Sequence, residues 1–162
     1  MKVDGLDAQI LKVLLRDGRV RWSALAEKLG VSSPAIADRV RRLESAGIIT
    51  GYSAQLSGEA LGIDLTAFIA VTLEHPKFRQ GFLDYVQTSE CVQACHHIVG
   101  EGDFLMKVRC LSTAHLEQVL TDEIKSIPGV AQTRTTIALS TVKESALLPI
   151  GESVGESSSE AK

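Results

Sequence analysis

Three arginines fall within four positions, Arg39, Arg41 and Arg42, just after the run Ser32-Ser33-Pro34-Ala35. Guanidinium groups pair with phosphate oxygens and supply much of a protein's affinity for nucleic acid. Ser32, Ser33 and a helix N-terminus opened by Pro34 add neutral donors for a phosphate. Asp38 can accept from a cytosine amine, or pair with Arg41 or Arg42 along the helix. Taken alone, an arginine-bearing helix is more often simply solvated. A second group, Cys91, Cys95, His96 and His97, has the residue types that ligate zinc. Side chains alternate along a strand, so His96 faces away from Cys95 and His97, and Cys91 sits at or before the strand start. That arrangement does not close a local tetrahedral site. No metal or other cofactor is expected, and Cys95 reads as core packing. The sequence carries no nucleophile–base arrangement, Gly-rich phosphate loop or paired-carboxylate signature, so an enzyme is not expected.

Helical periodicity positions the arginines. Leu6, Ile10, Val13 and Leu14 form an apolar stripe after the candidate cap Asp4, and Asp17-Gly18 ends that helix. A second helix spans roughly Ser23 to Leu29 and closes at Gly30, a residue that accepts the left-handed conformation. The third starts at Ser32 or Ser33, with Pro34 in the first turn where no N–H is needed. Its stripe Ile36, Val40 and Leu43 leaves Pro34, Ala35, Asp38, Arg41 and Arg42 on the outer face, with Arg39 at the margin. Two helices joined by Gly30-Val31-Ser32-Ser33 have the turn of a helix-turn-helix, whose second helix enters the major groove of double-stranded DNA. Trp22 reads as helix packing rather than a backbone contact.

Beyond Gly47 the pattern becomes extended. Residues 1–50 read as the winged helix-turn-helix head and 51–64 as an extended wing and hinge. Residues 65–144 then run strand (Leu65–Leu73), helix (Phe78–Val86), strand (Cys91–Val99), strand (Asp103–Leu111), helix (Thr113–Ile124) and strand (Val130–Val142). The turn Gly100-Glu101-Gly102 marks a hairpin. The βαββαβ order predicts an α+β fold with a ferredoxin-like second domain. Residues 145–162, rich in Ser, Glu and Gly, read as a disordered tail.

Net charge is −3, which by itself does not suggest DNA. Its distribution does: residues 1–50 hold 9 Lys and Arg against 6 Asp and Glu, while the remainder holds 8 against 14. Such asymmetry fits a nucleic-acid-binding part joined to a different part. No apolar run approaches the roughly 18 residues of a membrane span. Asp4 and Asp7 occupy the place of a signal peptide's apolar stretch. Three cysteines are an odd number, without framework spacing. A cytoplasmic protein is expected.

From Val3 to Lys143 the chain resembles the Lrp/AsnC, or feast/famine, family of regulators. The resemblance rests on Asp4-x-x-Asp7-x-x-Ile10-Leu11, Gly18-Arg19-Val20, Leu25-Ala26 and Val31-Ser32. It continues through Arg39-Val40-x-Arg42-Leu43-Glu44-x-x-Gly47-x-Ile49-x-Gly51-Tyr52 and Val92-x-x-Cys95. In the second domain it takes in Gly100-x-x-Asp103-Phe104-Leu105, Pro128-Gly129-Val130, Thr133-x-Thr135-x-Ile137 and Val142-Lys143. The resemblance implies a homodimer paired through its second domains and assembling into tetramers, octamers or longer species. Two DNA-binding heads would reach successive half-sites, and an amino acid or similar small-molecule effector would sit where dimers meet. By family position Gly100, Glu101, Gly102, Asp103, Thr133 and Thr135 would line that pocket.

The residue types suit the role. Gly100 and Gly102 let backbone N–H groups approach a carboxylate, Thr133 and Thr135 share a strand face and can donate, and Asp103 or Glu101 can hold an ammonium group. The plainer alternative is a tight hairpin beside ordinary threonines. Where the family often has tyrosine after the aspartate this chain has Phe104, which removes one hydroxyl. Two other functions share the resemblance: a sirohaem-decarboxylating enzyme, for which His96 and His97 are the relevant residues, and an effector-independent architectural DNA-binding protein.

Overall fold

Asp4 opens the first helix, α1 (Gly5–Leu14), through a reciprocal cap. Its carboxylate accepts from the Asp7 N–H at 2.8 Å, and the Asp7 carboxylate accepts from the Asp4 N–H at 3.2 Å. In this computed structural model, which describes residues 2–150, α2 (Trp22–Leu29) and α3 (Ser33–Ser45) follow. Arg21 precedes α2 without a side-chain cap, whereas the Ser32 hydroxyl caps α3 by accepting from the Ala35 N–H at 3.3 Å. Ile10, Leu11, Leu14, Leu25, Ala26, Ile36, Val40 and Leu43 form the buried core of this three-helix unit. Each large aliphatic side chain there stabilises by roughly 1.5–3 kcal/mol relative to exposure. Leu6, Val13 and Trp22 pack at its edge, so the tryptophan has the packing role.

The described chain divides into two units, one reaching Gln55 and taking in residues 144–150, the other spanning Leu56–Lys143. The second contains β1 (Leu65–Leu73), α4 (Arg79–Thr88), β2 (Val92–His97), β3 (Phe104–Cys110), α5 (Thr113–Gln118) and β4 (Val130–Ile137). α5 runs on as a π-helical turn through Ile124. The sheet order is β2-β3-β1-β4, with every neighbouring pair antiparallel, as a ferredoxin-like α+β sandwich requires. Period-2 burial shows which face is covered: Phe104, Met106, Val108 and Cys110 of β3 are buried, with Ala67, Ile69 and Val71 of β1 beside them. Phe82 of α4, Leu116 of α5, and Val119 and Ile124 of the π-helical turn complete that core.

Three expectations shift. Residues 48–57 form no helix or strand, and Glu59–Leu61 is a short 3-10 helix rather than extended chain, so no described strand gives the wing a ladder. The last strand stops at Ile137 rather than Val142. Its final bond runs from the Ala138 N–H to the Thr66 carbonyl, and Leu139 and Val142 are almost wholly exposed. Of the expected tail, residues 145–150 are described. They form no helix or strand, yet Ile150 packs against the helical core of the first unit. Residues 151–162 lie outside the described residues. No described helix is long and apolar enough to cross a membrane.

Candidate functional site

Burial of Ile36, Val40 and Leu43 fixes the rotation of α3 and decides what it presents outward. Ser32, Pro34, Asp38, Arg41 and Arg42 are exposed, and Ser33 and Ala35 are half-buried beside them. Asp38 accepts from Arg41 at 2.9 Å across one turn, with both side chains about 70% exposed. That pair is open to water and costs little to exchange for a phosphate. Arg42 is 58% exposed, with one guanidinium nitrogen 3.8 Å from Asp7.

Arg39 has a different position. Its guanidinium donates to Asp4 at 2.6 Å and to Asp7 at 2.7 Å, and the Asp7 side chain is 1% exposed. The same nitrogen, Nη1, serves both carboxylates. Arg39 holds the Asp4 carboxyl below the usual carboxylate range, chiefly by hydrogen bonding, and its own pKa is raised in return. The expectation that Arg39 faces a phosphate therefore changes: its charge is committed within the head, clamping α3 onto the start of α1. Both carboxylates were visible in the sequence, but their approach to Arg39, over 30 residues away, is a product of tertiary packing.

In the second unit, the hairpin turn expected to bind an effector adjoins a cleft of about 280 Å³, lined by Ala70, Thr72, Glu101, Gly102, Gln132 and Arg134. Glu101 forms an ion pair with Arg134, and both side chains are largely exposed. Gly102 has φ +89°, and a Cβ there would lie 3.1 Å from the Val71 carbonyl oxygen. Glycine thus allows the turn to lie flat against β1. Asp103 fastens the same turn. Its N–H donates to the Val71 carbonyl at 2.8 Å, and its Oδ2 accepts from the Leu73 N–H at 2.7 Å. That carboxylate oxygen is occupied by backbone, leaving Glu101 as the acidic group at the cleft; Gly100 does not line it.

Strand parity separates the two threonines from this cleft. Thr133 and Thr135 stand opposite Val71 and Ile69, whose side chains enter the helix-covered core. Gln132 and Arg134 stand opposite Thr72 and Ala70, on the other face. The chain therefore groups Glu101 and Gly102 with Gln132 and Arg134, not with Thr133 and Thr135. The alternation of β4 offered the signal, since choosing the threonines also chooses the face. Phe104 is a core residue, 3% exposed, with its ring centroid 4.8 Å from that of Phe82 and the Arg79 guanidinium above it. It lies on the covered face, so the lost hydroxyl is not one that would line this cleft.

The histidines and cysteines also part. Cys95 and His97 stand opposite Met106 and Phe104 on the covered side, while His96 stands opposite Leu105 on the other. The His97 ring lies 5.1 Å from that of Phe104. His96 and His97 thus do not converge on one site within the chain.

Comparison with known proteins agrees with the two-part architecture. Residues 3–50 match the family model described as winged helix-turn-helix DNA-binding, and residues 66–148 match that of the Lrp/AsnC ligand binding domain. The leucine-responsive regulatory protein of Escherichia coli is 35% identical over 150 residues, covering 91% of this chain and 92% of that protein. A Neisseria meningitidis transcriptional regulator solved with L-methionine superposes with a TM-score of 0.87 at 30% identity, covering 91% of this chain and 96% of that one. The feast or famine regulatory protein of M. tuberculosis, also complexed with L-methionine, gives 0.83 at 36%, covering 90% and 98%. A DNA-binding head followed by this sheet-and-helix domain, matched over nine-tenths of the chain, makes the protein a transcriptional regulator of the Lrp/AsnC family.

Proposed function

We propose that this protein is a sequence-specific DNA-binding regulator whose assembly and DNA binding respond to an amino acid or closely related metabolite. The observation that carries the DNA reading is the outward face of α3, where Ser32, Pro34, Asp38, Arg41 and Arg42 stand exposed while the opposite side is locked into the core. Arg41 and Arg42 neutralise phosphates, and Ser32, Ser33 and the helix N-terminus donate to another. Asp38, Pro34 and Ala35 meet base edges. In this reading the protein works in the cytoplasm as a homodimer that assembles further, so that two heads span a pseudo-palindrome.

The effector reading rests on charge complementarity. An α-amino acid carries a carboxylate that suits Arg134 and an ammonium that suits Glu101, and its arrival replaces their mutual ion pair with two new ones. Ala70 and Thr72 form the apolar and small polar floor of a cleft of the right scale. The two family structures solved with L-methionine support this ligand class.

Calorimetric titration of the full chain with a panel of amino acids tests the site. At least one is expected to bind, and Arg134→Gln and Glu101→Gln are each expected to weaken it about tenfold, a modest loss for exposed charges. Gel shifts with a promoter duplex and its shuffled counterpart, with and without that ligand, complete the test. Equal retention of both duplexes would favour an architectural role, and unchanged ligand affinity in both variants would remove the Glu101–Arg134 assignment.

A further inference from the structure

Among the described residues outside the cleft and the DNA-facing helix, one cluster has chemistry that neither part explains. Cys91, just before β2, Cys110, at the end of β3, and His115, in α5, bring two thiol sulfurs and an imidazole nitrogen within 4.8 Å of one another. Cys91 Sγ lies 3.7 Å from His115 Nε2. In tetrahedral zinc sites, bonds of about 2.3 Å to sulfur and 2.0 Å to nitrogen place ligand atoms roughly 3.5–3.8 Å apart. The cluster is therefore close to ligand spacing already. We propose that Cys91, Cys110 and His115 form a binding site for a thiophilic divalent cation of the zinc type.

The surroundings fit such an ion. Cys110 is fully buried while Cys91 and His115 are half-buried, giving a dry inner ligand and an open side for entry. Burial, with the Glu123 carboxylate adding to it, pushes both thiols up, and that carboxylate is itself held by the Tyr85 hydroxyl at 2.9 Å. The fourth position falls to a water. On loading, the two thiols release their protons to solvent, and the resulting thiolates with a neutral imidazole provide the borderline-soft donor set that selects zinc over magnesium or calcium. One bond must be exchanged on loading. His115 Nδ1 accepts from the Leu111 N–H at 3.2 Å, which places the neutral ring's proton on Nε2. A cation at Nε2 moves that proton to Nδ1 and releases the Leu111 N–H. Leu111 is 57% exposed, so water can take its place. The site would staple the start of β2 to the end of β3 and to α5.

Cobalt(II) titration of the full chain, kept reduced by a phosphine, tests this. One equivalent is expected to give near-ultraviolet thiolate-to-cobalt charge-transfer bands and tetrahedral bands in the red, both erased by zinc. Cys91→Ser and His115→Gln are expected to lose the bands, whereas Cys95→Ser and the double variant His96→Gln/His97→Gln keep them. Circular dichroism verifies that each variant is folded. Zinc is also expected to raise the melting temperature of the parent but not of Cys91→Ser, and to move the His115 ring proton to Nδ1 in nitrogen NMR. No thiolate–cobalt bands in the reduced parent, or bands that survive in Cys91→Ser and His115→Gln, would overturn the site.

Discussion

Asp7→Ala is expected to cost the helical head about 3 kcal/mol, the low end of what breaking a buried ion pair costs. The Asp7 carboxylate is almost wholly buried, yet it accepts from Arg39 at 2.7 Å and from the Asp4 N–H at 3.2 Å, with Arg42 at 3.8 Å. Removing it leaves the Arg39 side chain, only 26% exposed, with Asp4 alone. It also breaks the reciprocal cap that starts α1. A small three-helix unit has little stability in reserve. Chemical denaturation is therefore expected to show an early transition for the head, with the later transition of the second unit unmoved. A head midpoint equal to the parent's would show that the buried carboxylate does not clamp α3. The same logic separates the arginines: Arg39→Ala should mainly lower head stability, and Arg41→Ala and Arg42→Ala should leave stability nearly unchanged.

Gly129→Ala is expected to destabilise the second unit by about 3 kcal/mol or more, combining overpacking with an unfavourable backbone conformation. Gly129 has φ +84°, and a Cβ there would lie 2.0 Å from Phe78 Cγ and 2.5 Å from Phe78 Cβ. Phe78 Cβ is bonded to the backbone, so no rotamer change can relieve its contact at 2.5 Å; the segment around Pro76–Phe78 must move. The turn itself is tied to the end of β1 through the Glu74 N–H and the Gly129 carbonyl at 2.8 Å. Thermal unfolding that separates the two units checks this. An unchanged second transition in Gly129→Ala would mean that Phe78 does not pack where it is placed.

The helices and strands were legible because local chemistry and burial agree. Asp4 and Ser32 cap the helices they were expected to start, and the buried Ile36, Val40 and Leu43 are the residues the 3.6-residue period selects. β1 forms over Leu65–Leu73 as expected, and Gly100–Gly102 turns the expected hairpin. What was not legible depends on partners distant in the chain. Arg39 looked free until α1 supplied Asp4 and Asp7. The threonines of β4 carried the right chemistry for a ligand, but pairing with β1 turned Thr133 and Thr135 toward the covered face and Arg134 toward the cleft. The cysteines behave alike: in the sequence Cys91 neighbours Cys95, His96 and His97, whereas the fold brings it to Cys110 and His115. Residues 48–57 form no helix or strand, because a ladder needs a partner strand, which no sequence pattern within that segment can provide.

The most direct test of DNA recognition through α3 is the salt dependence of binding to a promoter duplex, measured for the parent, Arg41→Ala and Arg42→Ala. Each exposed arginine that neutralises a phosphate adds about one to the slope of log affinity against log salt for every head engaged. Both variants are expected to bind about tenfold more weakly at moderate salt, with slopes reduced by about one per head. Affinities and slopes identical to the parent's in both variants would contradict the account, because the outward side of α3 would then not be the surface that meets the duplex.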